Sequence, residues 1–148
     1  MQKCVVVSSC IMGDNCKYNG GNNYNPGVAA FLKDKKIIKL CPEILADLPA
    51  PRPCAELVDG MVMDADGNDV DAVYRAGIQK ALKRIRDLDV ELVILQSRSP
   101  TCGVNQIYDG TFSGKLKPGR GLFAQALIQA GYTVMDVEDL DLKDSASE

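Results

Sequence analysis

Two hydrophobic rhythms alternate along the chain. Short runs of consecutive apolar residues occur at Cys4-Val5-Val6-Val7, Ile37-Ile38 to Leu40, Leu92 to Leu95, and Tyr132 to Met135. Continuous apolarity over so few positions suits a strand covered on both faces. Between these runs the spacing turns helical. Asn25-Pro26 reads as an N-cap followed by proline at the first helical position, ahead of Val28, Ala29, Phe31 and Leu32. Val70, Val73, Tyr74, Gly77, Ile78, Ala81, Leu82, Ile85 and Leu88 form one stripe of a long helix. A last helix is expected over 121–130, with Leu122, Phe123, Ala126, Leu127 and Ala130 inward and Gly131 as its stop. Residues 42–60, with prolines at 42, 49, 51 and 53, read as irregular. Met61-Val62-Met63 reads as a short strand closed by the turn Asp66-Gly67.

Strands alternating with helices predict an α/β fold, one domain over residues 1–148, with a Rossmann-like, mostly parallel sheet and helices on both faces. The acidic stretch 138–148 reads as a flexible tail. Ligands of such sheets bind in the crevice at the carboxyl ends of the strands. Cys10 and Cys41 follow directly after two predicted strands, and the segment leading to Cys102 follows a third. Three separate loops are therefore expected to deliver cysteines to one rim.

Composition narrows what those cysteines do. With 148 residues, 46% of them apolar, the chain can bury a core without covalent staples. A net charge of -3 argues against binding nucleic acid or an anionic membrane. No apolar stretch approaches the roughly 20 residues of a membrane span, and the first run is too short for a signal peptide. The expectation is a cytoplasmic protein with neither membrane nor nucleic acid as partner, and in that reducing compartment six cysteines are poorly explained as disulfides. Histidine is absent, which removes every Cys/His zinc pattern, the Cys–His nucleophile pair and the Ser–His–Asp triad. There is no C-x-x-C, so neither a zinc ribbon nor a thioredoxin-like pair is indicated, and no ferredoxin-type run. Cys4, inside the valine run, reads as core packing. Cys54, among prolines, reads as a non-ligand. Cys16, close to Cys10 in a Gly/Asn-rich loop, reads as a packed cysteine before it reads as a fourth ligand or a redox partner.

Four blocks carry a family resemblance. Cys10-Ile11-Met12-Gly13-Asp14-Asn15-Cys16-Lys17-Tyr18-Asn19-Gly20 resembles the opening motif of the 2-thiouracil desulfurase family. Cys41-Pro42-Glu43 follows, then Leu48-Pro49-Ala50-Pro51-Arg52 with Glu56 after it. Ser99-Pro100-Thr101-Cys102-Gly103, running into Ile107-Tyr108-Asp109-Gly110-Thr111-Phe112-Ser113-Gly114, completes the set. Each block alone is weak, but four in order are specific, and the resemblance spans Cys4 to about Val137. It implies a cytoplasmic α/β monomer that holds a 4Fe–4S cluster through three cysteines. The fourth iron has no protein ligand and captures the sulfur of a small thiolated substrate such as 2-thiouracil, giving the oxo product and sulfide. Carried over, the ligands are Cys10, Cys41 and Cys102, Glu43 is the acid/base and Ser99 its polar partner. The departures are Lys17 and Asn19 in place of Arg and Asp, Ala46-Asp47 in place of paired glycines, Thr101 in place of serine, and Leu122-Phe123 in place of Val-Thr. None touches a ligand position; together they bear on substrate identity.

The residue types suit that chemistry in their own right. Thiolates are the usual ligands of iron–sulfur clusters, and an open iron accepts a soft sulfur atom. Without histidine, a carboxylate is the natural proton carrier, and Glu43 lies two residues from Cys41. Ser99 either takes part in the reaction or only turns the chain before Pro100. Lys17 and Tyr18 line the pocket or stay in solvent. Asp109 and Ser113 contact substrate or only satisfy the backbone amides of the Gly-rich turn they bracket. Arg52 pairs with substrate or with a buried acid. Gly119-Arg120-Gly121 reads as a helix-start turn rather than an anion cradle. The rival readings are a non-enzymatic cluster or sulfur carrier, a binding module, and a structural thiolate–zinc protein; the last is disfavoured because zinc sites prefer four ligands and paired cysteines.

Overall fold

The computed structural model describes residues 3–139. Strand β1 (Lys3–Ser8) runs into a 3-10 turn over Ser9–Met12, then α1 (Pro26–Phe31) and β2 (Lys36–Leu40). Helix α2 (Pro42–Leu45), the strands β3 (Ala55–Val58) and β4 (Met61–Asp64), the long helix α3 (Asp71–Ile85) and β5 (Asp89–Leu95) follow. The strands β6 (Gln106–Tyr108) and β7 (Leu116–Pro118) precede α4 (Leu122–Gln129), β8 (Val134–Asp136) and a 3-10 turn over Val137–Asp139. Four strands form a parallel sheet in the order β2-β1-β5-β8, while β3–β4 and β6–β7 are separate antiparallel hairpins.

The valine run of β1 is uninterrupted because its residues serve two cores in turn. Val5 and Val7, with Ile94 of β5, pack against Ile11, Val28 and Leu32 on the α1 side. Val6, with Val93 and Leu95, packs against Ile78, Ala81 and Ile85 of α3 and Phe123 and Leu127 of α4 on the other. Register places Val6 between Ile38 and Val93. Each such side chain contributes about 1.5–3 kcal/mol on burial, so the sheet is the rigid part of the molecule. From β1 the chain crosses to β2 on one side and later to β5 on the other. The reversal opens a crevice at the carboxyl ends of β1 and β5.

Several expectations need correction. Residues 42–60 are not irregular throughout, since they contain α2 and β3. Helix α2 has only four residues, too few for any period to register. It is held by close packing on α3, where a Cβ on Gly77 would lie 2.0 Å from the Pro42 carbonyl oxygen. Val73 lies off the buried stripe of α3 and is exposed, as is Ala130 after α4. The β6–β7 hairpin was not foreseen, because three-residue, largely exposed strands carry no readable alternation. The last strand begins at Val134 rather than Tyr132. Of the acidic tail, Glu138 and Asp139 close a 3-10 turn, and the rest lies outside the described residues. Among the described residues no helix is long and apolar enough to cross a membrane.

Candidate active site

Each proposed ligand follows a parallel strand, and local chemistry turns it toward one place. After β1, Gly13 adopts the left-handed φ of +101°, and its N–H returns to the Cys10 carbonyl at 3.2 Å. Asn23 closes the loop, its backbone N–H donating to the same carbonyl at 2.9 Å and its side chain to the Cys10 sulfur at 3.4 Å. After β2, Cys41 is the N-cap of α2, and Pro42 starts the helix that carries Glu43. After β5, the Ser8 hydroxyl accepts from Gln96 N–H at 3.0 Å and also reaches the Cys102 sulfur, tying the ends of β1 and β5 to that thiol. Ser99 Oγ accepts from Thr101 N–H at 3.0 Å and Cys102 N–H at 3.2 Å, folding the segment back over itself. The chain can then run on only because position 121 is glycine: a Cβ there would lie 2.4 Å from the Thr101 carbonyl carbon.

These loops enclose a cavity of about 630 Å³ whose wall includes Cys10, Cys16, Cys41, Cys54 and Cys102 as well as Glu43 and Ser99. Five of the six cysteines therefore face one space, and only Cys4 is spent in the core. Cys54, read from sequence as a bystander, is on the wall. Lys17 and Tyr18 line it too. Asp109 and Ser113 do not. Asp109 accepts from the Thr111 backbone at 3.0 Å and its hydroxyl at 2.6 Å, and Thr111 in turn bonds Ser113, so these groups hold their own turn together. From that hairpin it is Tyr108, Phe112 and Gly114 that reach the cavity.

Cys16 sits between two other thiols, within hydrogen-bonding reach of Cys10 and Cys41. Its hydrogen bond, helped by Asn23 and the nearby Lys17 ammonium, outweighs burial and brings the Cys10 thiol down to about 7. The same contact, aided by backbone N–H groups of α2, lowers Cys41. Cys16 itself is pushed up, first by its hydrogen bonding with Cys10 and Cys41 and then by burial. Burial raises Cys102, partly offset by the neighbouring Ser8 and Thr101 hydroxyls.

Behind the thiols lies a network around Glu43. Arg52 Nε and Nη2 both donate to Glu43 Oε1, at 3.2 and 2.9 Å. The pair is almost wholly buried, with side chains 4% and 15% exposed. Burial works against the Arg52 cation, but Glu43 outweighs it and holds its pKa above the usual value. The guanidinium also grips the carbonyls of Pro49 at 3.0 Å and Cys16 at 2.9 Å, joining the first loop to α2. The other carboxylate oxygen, Oε2, accepts from Thr101 Oγ1 at 3.1 Å, and Thr101 Oγ1 lies 2.8 Å from Ser99 Oγ. Tyr74 of α3, its phenol raised by burial and then by Glu43, completes the shell. Sequence reasoning named Arg52 as a possible partner of a buried acid but not which acid. It passed over Thr101, whose only signal was a hydroxyl kept next to Cys102.

The donor set fits an iron–sulfur cluster. It is all thiolate, drawn from separate loops around a cavity large enough for a ligand. Among the described residues no three Cys, Asp or Glu side chains close on one point as a single ion requires. Cys10, Cys16 and Cys41 instead lie close together, and Cys102 lines the same cavity, a thiol set suited to a polynuclear body.

Comparison with known proteins points the same way. The 2-thiouracil desulfurase family matches residues 5–139. A Bacillus subtilis (strain 168) protein named "Uncharacterized protein YbbK" is 36% identical over 147 residues, covering 93% of this chain and 97% of that protein. The solved structure of the [4Fe-4S]-dependent thiouracil desulfidase TudS superposes with a TM-score of 0.87 at 29% identity, covering 99% of both chains.

Proposed function

The chain belongs to the 2-thiouracil desulfurase family, and on that premise we propose that it is a 4Fe–4S-dependent desulfurase that converts the C=S group of a thiouracil-like heterocycle to C=O and releases sulfide. The observation that carries this reading is the meeting of Cys10, Cys41 and Cys102 with Glu43 and Ser99 on one cavity wall. Cys10, Cys41 and Cys102 would hold the cluster, leaving Cys16 as a buried neighbour. When bound, such a cluster supplies a Lewis-acidic iron without a protein ligand, open to a soft sulfur atom. The free thiols suit a reducing cytoplasm.

The protein's own part is to activate water. Paired with Arg52, the Glu43 carboxylate can only accept hydrogen bonds, so Thr101 must donate to it. Thr101 has one hydroxyl proton, so across the 2.8 Å contact Ser99 must donate to Thr101. Ser99 Oγ meanwhile accepts two backbone N–H groups, which stabilise charge developing on it. When its proton moves to Thr101, and that of Thr101 to Glu43, the lone pair left on Ser99 takes a proton from water. The hydroxide bonds to the thiocarbonyl carbon. The hops then reverse, returning one proton to the sulfur as the C–S bond breaks with its electron pair on that atom, and the added hydroxyl gives its remaining proton to solvent water as the C=O group forms. One water is consumed and one sulfide leaves. Lys17 and Tyr18, on the wall of the same cavity, would contact the substrate's polar edge.

Anaerobically purified protein should contain iron and sulfide in the 4Fe–4S ratio and release sulfide from 2-thiouracil. Loaded protein that leaves 2-thiouracil intact would overturn the reading.

A further inference from the structure

The β6–β7 hairpin forms a wall of the cavity that the chemistry above does not use. At its tip Phe112 adopts a left-handed backbone, with φ of +55°, a region a bulky side chain enters only against steric cost. Its ring is not spent on the core. Phe112 is 38% exposed and borders the cavity. An aromatic residue held in an unfavourable conformation, and left half in water, calls for a reason.

The surroundings show how the conformation is enforced. Glu56 of β3 is buried, and its Oε1 accepts from Gly110 N–H at 3.0 Å and Phe112 N–H at 3.2 Å. Gly110, also left-handed at φ of +92°, lets the turn press onto β3, where a Cβ would meet the Leu57 carbonyl oxygen at 2.6 Å. Asp109 and Thr111 close the turn from outside. One buried carboxylate and one obligatory glycine thus hold the loop so that the Phe112 side chain borders the thiol-lined cavity. The effort goes into placing the ring, since the hairpin itself is largely exposed and adds little to the core.

We infer that Phe112 is the specificity-determining residue of this site, a stacking platform for a flat, conjugated heterocycle bearing the thiocarbonyl. This rests on the desulfurase reading for the reaction but concerns which thiocarbonyl is accepted. Stacking rewards a planar π system and offers nothing comparable to a small acyclic one. The site therefore selects pyrimidine-like thiones over compounds such as thiourea, which carries the same C=S without the ring. Glu56 acts through Phe112 and is a positioning residue.

The test compares 2-thiouracil with thiourea on anaerobically prepared, cluster-loaded protein, reading both equilibrium binding and turnover. Phe112→Ala should weaken 2-thiouracil binding and raise its KM by roughly 10- to 100-fold, the effect of losing one base–aromatic stack. Its kcat, iron content and thiourea KM should not change. Phe112→Tyr should restore 2-thiouracil binding, whereas Phe112→Leu, apolar but without a π face, should not. Phe112→Gly separates function from structure. It removes the ring and relieves the left-handed backbone, so Tm should not fall while the 2-thiouracil Kd rises as in Phe112→Ala. Unchanged 2-thiouracil binding in Phe112→Ala, or equal losses for both ligands, overturns the inference. So does a Phe112→Gly variant that loses Tm but keeps its affinity. Wild-type protein that binds 2-thiouracil without turning it over sinks the desulfurase reading instead, and the Kd series still decides the role of Phe112.

Discussion

The two walls of the cavity are built on different principles. On one side, Cys10, Cys41 and the Cys102 loop leave the ends of three hydrogen-bonded parallel strands that pack against a core on each face. Their spacing is inherited from the sheet register. On the other side the β6–β7 hairpin is exposed along most of its length and is seated by Glu56 and Gly110. The difference teaches where rigidity is needed. A cluster tolerates little movement among its ligands, and the three proposed ligands follow strands of the sheet, the rigid part of the fold. A substrate-facing wall needs only one well-placed side chain, and local turn chemistry suffices. Change on the sheet side should abolish function outright, and change on the hairpin side should grade it.

The sharpest way to break this contrast is at the thiols. Cys10→Ser, Cys41→Ser and Cys102→Ser should each abolish stable iron and sulfide loading, while Cys4→Ser, altering a core residue, should load normally. Cys16→Ser is the informative fourth variant: if it loses the cluster while Cys10→Ser keeps it, the ligand in the first loop has been misassigned. Next in size are the proposed proton carriers. Glu43→Gln and Thr101→Val should retain iron yet lose turnover by roughly 100- to 10,000-fold, and the double variant should be little worse than either alone, because both interrupt one chain. Thr101→Ser, which keeps the hydroxyl, should stay close to wild type. Additive losses in the double variant would separate the two residues.

Arg52 sharpens the comparison through stability. Arg52→Ala leaves the Glu43 carboxylate buried without its cation, which costs about 3–5 kcal/mol and in a chain of this size lowers Tm by about 10 °C. A calorimetric scan of the apo-protein checks it; an unchanged Tm would mean that water replaces the guanidinium. The smallest effect belongs to the outer turn. Ser113→Ala removes a hydroxyl that points to its own hairpin, so stability should change by no more than about 0.5 kcal/mol and the KM for 2-thiouracil should hold. A large rise in KM would return Ser113 to the substrate site.

Local rules made part of this molecule readable from sequence. The apolar runs marked all four parallel strands, most plainly β1 and the end of β5, where burial on both faces leaves no room for polar alternation. Asn25-Pro26 marked the start of α1, and the Asn25 side chain does accept from Val28 N–H at 3.1 Å. The positions of Cys10, Cys41 and Cys102 just beyond strands, together with the four family blocks, were enough to expect a common rim and the chemistry proposed for it. What failed locally was short or irregular: α2, held by the backbone contact at Gly77, and the hairpin, whose strands are too brief and wet to show a period.

Tertiary structure alone decided the pairings. Nothing in the spacing of Arg52 and Glu43 says that they meet, since a proline-rich segment separates them. Nothing local shows that Thr101 bridges Ser99 to that same carboxylate, or that Cys16 falls between Cys10 and Cys41. The outer turn presents Phe112 rather than Asp109 or Ser113 because Glu56, from a different hairpin, captures its backbone. Periodicity and capping are short-range consequences of backbone geometry and burial, so a sequence carries them openly. Which acid meets which base across a cavity depends on how separate loops close in space, and only the folded chain settles that.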